Sequence, residues 1–558
     1  MSNYPRRNAG RHQFVLGLTV ASLLASGCGS TAYRDLVEDS AVATVTVTDP
    51  VTGETMVVPA DPQSAEQVAA SGDAGASTDG YGAASTSSTT SGATTTDGAA
   101  GTDSSPVAGG SSGSDSTGSP STGSPTTDRG STGSTGSTGT GGSINPELPP
   151  VKVGFIQIQT TREFQSALGF SASDLGPLPE IAQSLADHLN ADGGLGGRKV
   201  EVVMQDYFME EASPSREAEI CVSMADDNGV EVMVFQGQIH GSTRFCYAGK
   251  GVLMFDPAPF VFDDDLYAEV APYYWSPSYP SYDRLIRALV PNLVSRDFFE
   301  PMTSRVETEA IVGVLHWDSV AETRVLNQDM LPALASVGID PATVVTHAVD
   351  PTNAGTIQTG LGNAVVRFRN EGVNRVLFIG GSPLAPFFYL NADQGGYRPR
   401  YGLTTLDAPR HTEDSQTNAR QMDDAIGIGF APVNDVTDHA YPFPSSNAQE
   451  QLCMAITKDT HEYTTRANAQ AMLAYCESML LLQAGSKVQS APFTAEGWAV
   501  GAEKLGKFQA ATNFSSSFGV RKHDGADVYR NIVHHVVCPN QNAPGSSCFV
   551  YDGGEVRF

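Results

Sequence analysis

From residue 150 onward the chain alternates two kinds of apolar pattern. "VKVGFIQIQ" (151–159) is a nearly continuous apolar run of strand length, the signature of a strand covered on both faces. Glu180 to Asn190 instead places Ile181, Leu185 and Leu189 at helical spacing. Then follow the strand "KVEVVMQD" (199–206), a helix from about Ser213 to Asn228, and the strand "VEVMVFQG" (230–237). Between the first helix and the second strand stand Gly193, Gly194, Gly196 and Gly197, which end a helix at left-handed-permissive positions. Strand, helix, strand, helix, strand predicts a parallel sheet with helices on both faces.

A second alternating set begins near Ala310. It comprises the strand "AIVGVLHW", a helix from Ser319 to Val337, the strand "TVVTHAV", a helix from Asn353 to Glu371 and the strand "NRVLFIGG". Two such sets predict two similar lobes. A long apolar helix follows from Arg466 to Ala484, and "FSSSFGVRKHDGADVYRNIVHHVV" reads as short antiparallel strands that complete a lobe.

The first quarter of the 558 residues is different. Arg6, Arg7 and Arg11 precede an apolar stretch from Phe14 to Ala25 and then small residues, the layout of an export signal. Ala25-Ser26-Gly27-Cys28, with Leu23 and Leu24 upstream, resembles a bacterial lipoprotein box. That resemblance implies a lipidated Cys28 and a membrane anchor; the alternative is a secreted protein with a spare thiol. "ATVTVTDPVTGETMVV" (43–58) reads as a small hairpin. Residues 71–149, mostly Gly, Ser, Thr, Ala and Asp, lack the apolar area to fold and read as a flexible tether of about 50 Å root-mean-square reach.

Composition narrows the partners. With 62 acidic against 33 basic residues the net charge is -29, which repels phosphate backbones and excludes nucleic acid as the expected partner. Six cysteines fall in the folded part, and in an exported chain an even number favours disulfides. Chain order suggests Cys221 with Cys246, Cys453 with Cys476 and Cys538 with Cys548, each closing a short local loop. There is no C-x-x-C and no H-E-x-x-H, so no metal is expected. No nucleophile elbow, phosphate loop or calcium loop occurs, and "GGLGG" ends a helix rather than opening one, so neither an enzyme nor a cofactor is expected.

"VKVGFIQIQ", "HLNADGGLGGRKVEVVMQD", "NGVEVMVFQG" and "VNRVLFIGG", in this order, resemble the type I periplasmic-binding-protein fold, and within it the leucine/isoleucine/valine-binding receptors of ABC importers. "RKHDGADVYR" is similar to the closing strand and turn of that family. The resemblance implies an α/β chain of two Rossmann-like lobes with parallel sheets, joined by a three-crossing hinge. The expected layout is a lipoprotein signal at 1–27, an N-terminal segment at 28–70, the tether at 71–149 and the binding domain at 150–558. Lobe 1 would take about 150–273 and 463–513, lobe 2 about 274–462 and 514–558, with crossings near Tyr273 to Tyr279, Glu462 and Asn513 to Phe518.

Ligands of open α/β sheets sit beyond the carboxyl ends of the strands. The resemblance therefore implies ligand contacts at Gln159, Gln238, His240, Gly241, Ser242 and Thr243, the last three holding a carboxylate at a helix start. Asp256, Ala258, Trp317, Ser382 and Asp407 complete the expected set. Pro257-Ala258-Pro259-Phe260 lacks a hydroxyl that amino-acid binders carry, and Thr405 stands at their acidic position with Asp407 two residues on. Trp317 and Trp275 are each read either as cleft floor or as core, His240 either as a cap of its loop or as a ligand contact, and Asp263-Asp264-Asp265 as a solvated turn. Thr160 to Pro179 is either a lid or a surface loop. The function implied is an extracytoplasmic, lipid-anchored receptor that captures a small polar molecule (amino-acid-like, amide or short organic acid) for an ABC permease. The other readings are a sensory or adhesive surface receptor of the same fold and an extracellular hydrolase.

Overall fold

The computed structural model describes residues 44–48, 55–59 and 143–558, except 160–175, 209–210, 236–239, 258–261, 306, 308, 383, 415–418, 490–491 and 540–546. The chain divides into two compact units, Met1–Thr138 and Gly139–Phe558. In the first, β1 (Thr44–Thr48) and β2 (Thr55–Pro59) pair antiparallel, as the alternation around Pro50 and Gly53 predicts. Cys28, the apolar leader and the tether residues 71–142 lie outside the described residues.

The second unit holds two sheets. The first contains β3 (Val151–Gln159), β4 (Val200–Phe208), β5 (Val232–Val234), β6 (Leu253–Phe255) and β7 (Tyr274–Trp275), all parallel, in the order β4-β3-β5-β6-β7. Helix α1 (Leu178–Ala191) buries Ile181, Leu185 and Leu189 against one face. Each such side chain contributes about 1.5–3 kcal/mol by leaving water. Gly193, Gly194, Gly196 and Gly197 all have positive φ, from 57° to 93°. A Cβ on Gly194 would stand 2.0 Å from the Arg198 carbonyl, so this reversal requires glycine. On the other face lie α2 (Pro214–Val222), capped by the Ser213 hydroxyl, and α3 (Ser242–Gly249), tied together by Cys221–Cys246. The short α4 (Asp264–Glu269) packs Leu266 there as well.

The chain then enters the second lobe with α5 (Tyr282–Val294). Its sheet carries β8 (Val312–Trp317), β9 (Val345–Val349), β10 (Arg375–Ile379), β11 (Arg400–Thr404) and β12 (Ile426–Gly429), all parallel. The helix expected at 319–337 is two α segments, α6 (Val320–Val325) and α7 (Leu331–Ser336), joined by a π turn. Helices α8 (Ala354–Asn370) and α9 (Leu384–Gln394) cover the sheet.

Three further helices, α10 (Ala448–Thr457), α11 (Arg466–Val488) and α12 (Ala495–Ala502), pack back onto the first lobe. Because Cys453 of α10 bonds Cys476 of α11 and both are buried in the lobe 1 core, α10 belongs to lobe 1. The second crossing thus lies at about 441–447, not near Glu462. An antiparallel pair, β13 (Gly506–Phe508) and β14 (Ser516–Phe518), puts Phe518 in lobe 1 before the chain returns as β15 (Val528–His535) and β16 (Cys548–Arg557). Lobe 2 then has the order β16-β15-β12-β11-β10-β8-β9, and Cys538–Cys548 closes its last hairpin. All three sequential cysteine pairs are disulfides.

The crossings are laced together by polar groups. Ser276 and Asp524 form a parallel bridge between the first and third. Buried Glu477 of α11 accepts from Ser278 Oγ at 2.7 Å, Thr512 N at 3.0 Å and Thr512 Oγ1 at 2.8 Å. No helix among the described residues is long and apolar enough to cross a membrane.

Candidate ligand cleft

Parallel strands end at the same edge of a sheet, so the loops leaving them collect at one mouth per lobe. A cavity of about 270 Å³ lies where the two mouths meet. Lobe 1 contributes His240, Gly241 and Ser242 at the start of α3, with Phe262 and Leu266 around α4. Lobe 2 contributes Trp317, Asp318 and Glu322 after β8, and Asp350 after β9. Gly241 and Ser242 open α3, so their amides carry the positive end of the helix to the cavity.

The lobe 1 wall is organised by a carboxylate that lines nothing. Glu217 of α2 is fully buried and accepts from Tyr207 Oη at 2.8 Å and from the Thr243 hydroxyl in a short hydrogen bond. His240 Nδ1 stands 2.9 Å from Glu217 Oε1 and the His240 amide 3.4 Å from the same oxygen. Burial pushes the Glu217 carboxyl up, but His240, the nearby Arg244 charge and Thr243 outweigh it and hold it below its ordinary value. A carboxylate only accepts, so Nδ1 of His240 carries the hydrogen and Nε2, buried and unpartnered, is turned away from Glu217. Arg244, also on the cavity wall, reaches Asp256 Oδ2 at 2.7 Å.

The lobe 2 wall mixes an aromatic face with acids. Trp317, 4% exposed, anchors its indole N–H on the Gly380 carbonyl at 3.1 Å. Glu322 is buried enough that its carboxyl is pushed up to about 8, with the Asp263 charge adding to the shift, so it holds a proton at neutral pH. Asp350 is exposed and accepts from the Thr352 amide at 2.8 Å.

Of the residues expected from the sequence, His240, Gly241, Ser242 and Trp317 come together here. Gln238 and Ala258 lie outside the described residues, as does most of the lid-or-loop segment, at 160–175. The others do not line the cavity. Thr243 is buried on Glu217, and Asp256 is buried between Arg244 and Tyr274, whose hydroxyl donates at 3.0 Å. Asp407 is buried because it caps its own turn, accepting from Thr404 N at 2.7 Å and Thr404 Oγ1 at 2.9 Å. Gln159 donates to Asp206 at 3.1 Å on the adjoining strand, and the Ser382 amide is held by the Leu406 carbonyl at 2.6 Å. Trp275 is core, stacked on His523 with ring centroids 3.8 Å apart.

The sequence reading missed Glu217, although a signal exists. Glu217 lies one turn before Cys221, so the disulfide that turns Cys221 toward α3 turns Glu217 the same way. It also read Asp263-Asp264-Asp265 as a solvated turn. Asp263 instead caps α4 through Leu266 N at 2.8 Å and takes both arms of Arg324, from α6 of the other lobe, at 2.5 and 2.6 Å. Asp265 stands 3.4 Å from Arg324, and Asp264 3.4 Å from Arg287 of α5. This latch bridges the lobes beside the cavity.

Because Asp263 is almost fully buried, the pair should be worth more than a surface bridge. A double-mutant cycle with Asp263→Asn, which keeps a good cap, and Arg324→Gln is expected to give a coupling of about 2–3 kcal/mol in urea denaturation. A coupling under about 0.5 kcal/mol would mean that the pair holds nothing.

No group of three or more His, Cys, Asp or Glu side chains suited to a metal occurs among the described residues. No family model and no curated protein matches the chain by sequence. Solved structures do match it in shape. A possible leucine/isoleucine/valine-binding protein from Rhodopirellula baltica superposes with a TM-score of 0.50 at 13% identity, covering 69% of this chain and 94% of its own. A periplasmic binding protein from Burkholderia mallei gives 0.50 at 12% identity, over 73% and 95%. A solute-binding protein of an R. palustris ABC transporter, solved with 4-hydroxybenzoate, gives 0.50 at 11% identity, over 73% and 97%. With two parallel-sheet lobes, three crossings and a cavity at the facing strand ends, the chain has the type I periplasmic-binding-protein fold.

Proposed function

We propose that this protein is an extracytoplasmic solute-binding protein that captures a small polar molecule between its lobes and delivers it to an ABC permease, anchored through a lipidated Cys28. The observation that carries the reading is the cavity's construction. One wall presents the amides that open α3, the other Trp317 with acidic groups, so a guest must touch both lobes at once. At about 270 Å³ the space falls below the ~300–1,000 Å³ usual for drug-sized ligands, which suits an amino-acid-like compound, an amide or a short organic acid. Gly241 and Ser242 would hold its anionic end, and Asp318 and Asp350 any ammonium.

The test is calorimetry and thermal unfolding of the full chain across amino acids, amides and short aliphatic and aromatic acids. At least one compound is expected to bind with micromolar or better affinity, and Ser242→Trp, which fills the cavity from an exposed position, is expected to abolish it. Silence across the whole panel would remove the proposal.

A further inference from the structure

A second cavity, of about 520 Å³, opens beside the hinge and shares no lining residue with the cleft. Its walls come from the second crossing, at Ser445, Ser446 and Asn447, and from Gln509 to Phe514, which lead toward the third. Both lobes contribute, Leu473 and Arg466 from α11 and Pro432, Val433 and Glu555 from lobe 2.

Of the buried charges in these walls, Arg466 is paired with an acid, and Glu450 is held by hydrogen bonds from a neutral residue. Arg466, 2% exposed, holds Asp438 Oδ1 at 3.0 Å and the carbonyls of Tyr441 and Pro442 at 2.9 and 2.5 Å. Glu450, 3% exposed, accepts from the Ser445 amide and, at 3.0 Å, from its hydroxyl. The walls also hold the exposed Glu555 carboxylate and several neutral polar groups. Asn513, 4% exposed, donates to the Ser278 carbonyl at 3.0 Å and to Ser516 Oγ at 2.8 Å, while its Oδ1 is buried with no partner. The Ser446 hydroxyl is exposed at the wall, and Tyr441 and Phe514 add aromatic surface, their centroids 6.1 Å apart.

An unpartnered buried carbonyl oxygen costs free energy until a donor reaches it. An anionic guest would meet the Glu450 and Glu555 carboxylates, while Arg466 is already paired with Asp438. A guest with hydroxyl donors and acceptors and an apolar C–H face meets the amide, the serine and the aromatic rings together. We infer that the hinge cavity is a second ligand site, for a polyhydroxylated molecule such as a mono- or disaccharide. This inference stands independently of what the cleft itself binds.

Thermal unfolding and calorimetry of the full chain with glucose, galactose, maltose and trehalose test it, using two exposed serines as blocking positions. Ser446→Trp fills the hinge cavity and Ser242→Trp fills the cleft. At least one sugar is expected to raise the unfolding midpoint by about 2 °C or more in the wild type and in Ser242→Trp, and to lose that effect in Ser446→Trp. Any other pattern overturns the inference, whether a sugar response lost in Ser242→Trp, one retained in Ser446→Trp, or no response to any of the four sugars.

Discussion

Glu217→Ala is expected to destabilise the folded unit by about 3–5 kcal/mol and to abolish ligand capture. The carboxylate is fully buried and answers three side chains, from Tyr207, His240 and Thr243. Truncation strands these donors in a space closed to water, beside the Arg244 guanidinium whose charge Glu217 helps to balance. The loop carrying Gly241 and Ser242 is then no longer held by its histidine. Glu217→Gln keeps one acceptor oxygen and should fall between the alanine variant and the wild type. Urea denaturation at neutral pH measures both, and a loss under about 1 kcal/mol for the alanine variant would show that the wall organises itself without this residue.

The second large effect is a fall in stability on the alkaline side of neutrality. Burial pushes Glu322 up to about 8, and Asp407, Asp435 and Glu477 each up to about 7. A carboxyl whose folded value is raised stabilises fully below its unfolded value, near 4, and loses that contribution as pH rises through the folded value. Histidines act with the opposite sign. Burial lowers His411 to about 3 and His534 to about 4, and it also lowers His316 and His523. Their contribution is complete above about 6.5 and is lost as pH falls.

Between about pH 4 and 6.5 the two sets oppose each other. Above about 6.5 only the carboxyls still change, and the four together remove roughly 4 kcal/mol by about pH 8. Urea midpoints across this range should decline, and Asp407→Asn and Asp435→Asn should each flatten part of the slope. A midpoint that is constant or rises from about pH 6.5 to 8 would contradict the burial of these acids.

Most of the architecture was legible because it rests on local patterns. The apolar run at 151–159 became a strand buried for much of its length, and Ile181, Leu185 and Leu189 became the inner stripe of α1. The four glycines at 193–197 adopted the positive φ that only their lack of a Cβ makes easy. The cysteine pairs followed chain order because each joins neighbouring helices or the two arms of one hairpin. The ownership of α10 was not legible, since its apolar stripe fits either lobe and only the packing of Cys453 on α11 assigns it.

The cleft was legible by position and poorly legible by role. The strand-end rule brought His240 to Ser242 and Trp317 to one cavity. It failed for Asp256, Asp407 and Thr243, because a polar residue at a strand end can turn inward when a partner waits there: Arg244 for Asp256, its own turn's Thr404 for Asp407 and Glu217 for Thr243. Arg324 and Asp263 are 61 residues apart, and nothing in either neighbourhood announces the other.

The sequence by itself determined the two lobes, their parallel strands and helices, the disulfide order and the strand ends where a guest would lie, because periodicity and short-range chain closure act over tens of residues at most. The tertiary structure alone decided which polar groups face the cavity, which are buried as its supports, and where the lobes latch. Those outcomes turn on the direction and distance of partners brought together from remote parts of the chain, and on whether water can still reach them.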